Sequence, residues 1–247
     1  NWANFIDNGN IATLVHEFAI GSSTSTLADI LSWTTVSVDT GAGPSYTSTG
    51  LSLTEGSTYY VSVRATDTDS QVSDTTTTDG VTIDVTDPVV SSVVEGSATG
   101  DADYQNDASQ LIISWSGTDE ASGIENYEYA LGTISGGTET IDWTSTGTAR
   151  ADTLTGLSLV EGTTYYLSVK VTDGAGNVSD ILTGDGITID MTAPAGTIVN
   201  DGTSDDIAYT GSDSSLSAVW PGFTEAVSGI AKYEVAIGTS SGGTDVV

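Results

Sequence analysis

Glu161-Gly162-Thr163-Thr164-Tyr165-Tyr166-Leu167-Ser168-Val169-Lys170-Val171 is the stretch that decides the fold. Tyr165, Leu167, Val169 and Val171 are apolar, and Tyr166, Ser168 and Lys170 between them are mostly polar. That two-residue period is the pattern of a strand with one buried face. The stretch has an earlier copy. Residues 55 to 63, Glu-Gly-Ser-Thr-Tyr-Tyr-Val-Ser-Val, return at 161 to 169, a spacing of 106 residues. Asp79-Gly80-Val81-Thr82-Ile83-Asp84 returns at the same spacing as Asp185-Gly186-Ile187-Thr188-Ile189-Asp190. Solenoid units run roughly 20–50 residues, whereas a unit of about 100 has the size of a self-contained domain.

Working outward, Leu111, Ile113 and Trp115 alternate with Ile112 and Ser114, and Tyr127, Tyr129 and Leu131 alternate with Glu128 and Ala130. Gly117-Thr118-Asp119, Ser135-Gly136-Gly137 and Asp173-Gly174-Ala175-Gly176-Asn177 separate the runs as turns. Short strands at this spacing, with no helical pattern between them, predict an all-β chain of tandem antiparallel β-sandwiches. Asp87-Pro88 and Ala193-Pro194 follow strand-like runs, and proline suits a joint because it cannot donate to a sheet ladder. The expected division is 1–87, 88–193 and 194–247. The middle part is a complete domain. In the first, Trp2 and Phe5 match Trp220 and Phe223, so it lacks its opening strand; the last is truncated. This reads as a window on a longer polypeptide.

Asp and Glu number 34 against 4 Lys and Arg, a net charge of −30. Such a surface repels nucleic acid and anionic lipid and favours cations and saline surroundings. There is no cysteine, which excludes disulfides and thiolate metal sites. No run approaches the roughly 18 apolar residues of a membrane span, so no membrane insertion is expected of this segment.

Leu159, Gly162, Tyr165, Leu167 and Val169, like Leu53, Gly56, Tyr59, Val61 and Val63 before them, have the spacing Leu-x-x-Gly-x-x-Tyr-x-Val-x-Val. Thr172-Asp173-Gly174-Ala175-Gly176-Asn177 follows the second copy. With Trp115 and Trp220, this resembles fibronectin type III and related bacterial immunoglobulin-like domains, over essentially the whole chain. The resemblance implies arrays within large secreted or cell-surface proteins. It implies that Tyr59 and Tyr165 are tyrosine-corner residues and that Trp115 and Trp220 pin the core. The first copy departs at the loop, where Thr68-Asp69-Ser70-Gln71 replaces Gly174-Ala175-Gly176-Asn177.

Catalysis finds little footing. His16 is the only histidine and falls on an apolar strand position. There is no phosphate-binding Gly-Lys-Ser loop and no nucleophile elbow. Calcium is the better candidate, because a hard cation takes six to eight oxygens. Asp119 and Glu120, Asp173, and the linker acids Asp84 and Asp87 are the expected ligands at the first joint. Asp190 and Glu225 recur at the next, with Ala193 in place of Asp87. Arg64 and Lys170 put a cation at one repeat position, a candidate contact to a neighbouring chain. Trp33 and Trp143 are candidates for stacking on sugar rings.

The expected function is a non-catalytic extracellular structural repeat that forms a fibre, stalk or surface layer, in the manner of a filament or sheath. Its partners would be copies of itself, neighbouring repeats or surface glycans. The alternatives are an adhesin or glycan-binding module, and an accessory array of a secreted hydrolase.

Overall fold

A computed structural model describes residues 14–36, 45–96, 100–196 and 198–246. Trp2 and Phe5, and with them the reading of a missing first strand, lie outside these residues. The chain divides into two compact units. One is built from residues up to Val89 with Thr118–Glu125 and Val171–Ser179; the other is Val90–Gly117, Asn126–Lys170 and Asp180–Val247. Among the described residues all regular structure is strand.

The first unit holds β1 (Val15–Gly21), β2 (Leu31–Val36), β3 (Thr58–Thr66), β4 (Thr76–Thr77) and β5 (Val81–Thr82). They form one antiparallel sheet in the order β2-β1-β3-β4, with β5 pairing a further part of β3. Register sets Phe18 opposite Val63 and Ile20 opposite Val61. Phe18, Ile20, Val36, Tyr59 and Val63 are buried together, and Leu51, Leu53 and Ile83 pack against them. Each such side chain contributes roughly 1.5–3 kcal/mol on burial. His16 is fully buried on β1, paired with Ala65 and Val36 across the two neighbouring strands.

The chain continues through β6 (Val89–Glu95), β7 (Tyr104–Gln105), β8 (Gln110–Thr118), β9 (Ile124–Gly132), β10 (Ile141–Gly147), β11 (Ala151–Thr155), β12 (Thr164–Asp173), β13 (Leu182–Thr183), β14 (Ile187–Ile189), β15 (Asn200–Asp201) and β16 (Ala218–Val219). The larger sheet runs β10-β9-β12-β14-β7, with β13 on β12, and the smaller runs β11-β8-β6. β10 with β9, β11 with β8, and β13 and β14 with β12 pair antiparallel, whereas β14 pairs with β7 in parallel. The two sheets face each other in the second unit. Trp115 on β8 stacks against Tyr127 and Tyr129 on β9, with ring centroids 6.2 and 5.5 Å apart. Leu111, Ile113, Leu131, Leu167, Val169, Ile187 and Ile189 are fully buried around them. The alternation in the sequence therefore sets which face turns inward. Among the described residues the fold is all-β and antiparallel in its main ladders.

Candidate functional site: carboxylates that clasp the linker

Asp84 follows β5, Asp119 follows β8 and Asp173 ends β12. All three fall in the first compact unit. Their carboxylate oxygens lie within 4.8 Å of one another. Asp173 is fully buried and Asp84 is 9% exposed. Asp87 and Glu120 are exposed and do not join the group.

Backbone and side-chain N–H groups close on these acids. Asp173 Oδ1 accepts from the backbone of Ala175, Gly176 and Asn177 at 2.9, 2.7 and 2.8 Å, and its Oδ2 accepts from Asn177 Nδ2 at 2.8 Å. Asp119 Oδ2 accepts from Ala121 and Gly123, at 3.1 and 2.7 Å. Asp84 accepts from the backbone of Thr86 and, at 3.0 Å, of Ser122. Asn177 Nδ2 also donates to the Asp84 carbonyl. Burial works to raise the Asp173 carboxyl, but the donors from residues 175–177 outweigh it and hold the group below the usual carboxylate range. The Ser122 side chain, with the backbone of Thr86 and Ser122, lowers Asp84 against burial and the Asp173 charge. Asp84 and Asp173 are thus kept ionised by hydrogen bonds. If a metal sat here, Asp84, Asp119 and Asp173 would hold it.

The linker is gripped from its other side by Glu55, which accepts from Val85 N and Thr86 Oγ1. The part of the arrangement built on Asp84, Glu55 and Asp119 recurs within the second unit. Asp190 accepts from Thr192 N and Ser228 N, at 3.1 and 3.2 Å. Glu161 accepts from Met191 N at 2.7 Å and Thr192 Oγ1 at 3.0 Å. Glu225 stands where Asp119 stood and accepts from Val227 N and Gly229 N. The sequence reading picked out the aspartates of this clasp and missed Glu55, Glu161, Ser122, Ser228 and Asn177. The signal was present: Glu55 and Glu161, and Ser122-Gly123 and Ser228-Gly229, keep the 106-residue spacing.

The turn that lacked its glycines forms as well. Asp67 Oδ1 accepts from Asp69 N and Gln71 N, as Asp173 does in the later copy. Ser70 takes φ 66° where Gly176 has φ 96°. A left-handed serine costs on the order of 1 kcal/mol, and the aspartate's two hydrogen bonds offset it.

The remaining candidates are paired within their own units. Tyr59 Oη accepts from Thr54 N at 3.0 Å and Tyr165 Oη from Val160 N at 3.1 Å, each five residues upstream. Trp115 is buried, and among the described residues its Nε1 has no hydrogen-bond partner. Trp220 is only half-buried, 6.0 Å from the Tyr233 ring, because the segment around it forms only the two-residue strand β16. Arg64 and Lys170 meet the two tryptophans. Arg64 Cζ lies 4.1 Å from the Trp33 ring centroid, and its Nε is 2.9 Å from Glu17. Lys170 Nζ lies 4.7 Å from the Trp143 centroid and 3.2 Å from Glu128. Each cation so covers one indole face, in a contact worth about 0.5–1 kcal/mol at a partly exposed site.

No protein-family model matches the chain. No curated protein matches it either. Among solved structures, the chicken CNTN1 FN1-FN3 domains align with it at 16% identity and a TM-score of 0.42. The alignment covers 71% of this chain and 57% of that one, so the chain spans little more than half the neighbour's length. No helix among the described residues is long and apolar enough to cross a membrane.

Proposed function

We propose that this chain is a non-catalytic, extracellular structural repeat, part of a fibre, stalk or surface layer built from sandwiches of about 106 residues. The observation that carries the reading is the recurrent linker clasp. Residues 84–86 and 190–192 are each held on one side by a glutamate and on the other by a serine-glycine loop. A free linker needs no such hydrogen bonds. Fixing three or four backbone residues costs roughly 1–2 kcal/mol each, and these bonds offset that cost. The gain is stiffness, which an array needs in order to act as a rod. Donors of the chain itself close the clasp.

Electron microscopy of the native material, beside an Asp84→Ala/Asp190→Ala variant, tests the proposal. Native chains should be straight rods, filaments or sheets whose axial repeat follows the 106-residue unit, and the variant should kink at unit spacing. Isolated flexible strings from the native chain would reject the structural role. A variant as straight as the native chain would remove the clasp from the explanation.

A further inference from the structure

The second unit contains another group of carboxylates, chemically opposite to the clasp. Glu95 ends β6, Asp101 lies in the loop that follows, and Asp185 sits between β13 and β14. Their oxygens lie within 4.8 Å of one another. Glu95 is fully buried. Its Oε1 accepts from Leu167 N at 3.1 Å, and its Oε2 has no hydrogen-bond partner among the described residues. A buried carboxylate oxygen without a donor costs several kcal/mol if it stays charged and empty-handed. In the clasp, eight N–H donors meet three acids. Here the nearby charges are Asp101, Asp185 and Asp103, all of one sign.

The chain has made room for this acid. Thr78 is the counterpart of Gly184 in the earlier copy, at the 106-residue spacing. There the Thr78 hydroxyl accepts from Val61 N at 3.1 Å, and Thr78 N donates to the Val61 carbonyl at 2.9 Å. In the later copy Gly184 N still donates to the Leu167 carbonyl at 2.9 Å, but the hydroxyl is gone. A Cβ on residue 184 would fall on both oxygens of the Glu95 carboxylate. Glycine at this point is what admits the glutamate to the strand. The loop that supplies Asp101 recurs too. Asp101 accepts from Glu95 N, and Asp206 accepts in the same way from Asp201 N. Gly96 and Gly202 follow the first acid of each pair with φ of 88° and 113°.

We propose that Glu95, Asp101 and Asp185 form a calcium site, with Glu95 as its buried ligand and Gly184 as the opening through which that ligand reaches the ion. Calcium–oxygen bonds of 2.3–2.6 Å place ligands across one ion at most roughly 4.6–5.2 Å apart, which matches the spread of these oxygens. An oxygen-only set of three carboxylates selects a hard cation over zinc or copper. The ion would supply the partner that Glu95 Oε2 lacks and cancel the mutual repulsion of the acids. The site stands apart from the linker clasp and does not depend on the structural role proposed above.

The test is a calcium titration of the chelator-stripped 247-residue chain at pH 7.5 by isothermal calorimetry, with thermal melting in parallel. Glu95→Gln, Asp185→Asn and Asp119→Asn variants are compared, and circular dichroism confirms that each is folded. Asp185 is exposed, so Asp185→Asn keeps the test open if Glu95→Gln fails to fold. The expected result is calcium binding that raises the melting temperature, weakened at least about tenfold by Glu95→Gln and by Asp185→Asn and left in place by Asp119→Asn. A native chain indifferent to calcium would overturn the proposal. So would binding that survives both Glu95→Gln and Asp185→Asn, or binding lost only in Asp119→Asn, which would place the ion in the clasp.

Discussion

Exchanging one buried acceptor for another between the two copies tests whether Glu95 and Gly184 work as a unit. Glu95→Ala takes the acceptor from Leu167 N–H, whose residue is fully buried. An orphaned buried donor costs about 1–3 kcal/mol. Gly184→Thr alone drives a Cβ into the Glu95 carboxylate, and overpacking of that kind costs about 1–3 kcal/mol. In the double variant the alanine leaves space for the threonine. The new hydroxyl then sits where Thr78 presents its own to Val61. The double variant should therefore be less destabilised than the sum of the two singles by about 2 kcal/mol, well above the ~0.5 kcal/mol scatter of independent sites. Urea unfolding in chelator at pH 5.5 measures this with Glu95 largely neutral, and amide exchange at Leu167 reports the bond itself. Additive singles, or a Leu167 amide that exchanges as fast in the double variant as in Glu95→Ala, would refute the reasoning.

Burial first of all, with Asp101 and Asp185 adding their charges, raises the Glu95 carboxyl from 4.5 to about 7. The folded state thus holds this proton more tightly than the unfolded one. Its contribution is complete below pH 4.5 and is lost as pH rises through about 7, a loss bounded at roughly 3 kcal/mol at ~1.4 kcal/mol per pH unit. In chelator, the stability of the native chain minus that of Glu95→Gln should fall between pH 5 and 8; a flat difference would remove the titration from Glu95. Tyr165→Phe should cost about 1 kcal/mol in urea unfolding by removing the acceptor of Val160 N, and an unchanged midpoint would show that water replaces the hydroxyl at no cost.

The fold was open to sequence reading because a sandwich announces itself by period. Leu111, Ile113 and Trp115 on β8 and Leu167 and Val169 on β12 are buried on the face that alternation assigns them. The parallel pairing of β14 with β7 had no such signal, since two short segments carry no directional pattern. At the clasp, the placing of Asp84, Asp119 and Asp173 at turns marked them in the sequence. It did not separate them from Asp87 and Glu120, which differ only in where the chain turns. Glu95 escaped notice for a physical reason. An acid ending a strand reads as solvated, and its burial depends on a missing side chain at residue 184, between β13 and β14 and 89 positions away. Comparing Thr78 with Gly184 across the repeat was the available clue.

The direction in which each acid is shifted sorts the carboxylates of this chain. With 34 acids and 4 basic residues, cations of the protein cannot balance them, and Arg64 and Lys170 already share their charge between a glutamate and an indole face. Backbone N–H and hydroxyl donors do most of the work instead. Ser22 lowers Asp29, Ser109 lowers Asp107, Thr133 brings Glu139 to about 2, Ser228 lowers Asp190, and Thr239 lowers Asp245. All but the Asp190–Ser228 pair are short polar loops folded around their own acid. Such bonds are fixed dipoles at contact distance, so they are less exposed to salt screening than distant charge pairs, which suits a chain of net charge −30. Among the described residues Glu95 and Asp185 are the carboxylates shifted upward, and they stand side by side. The clasp acids are met by donors of the chain itself, whereas Glu95 Oε2 is buried among acids without a donor among the described residues, and that contrast is the reason the proposed cation is assigned to Glu95 rather than to the clasp.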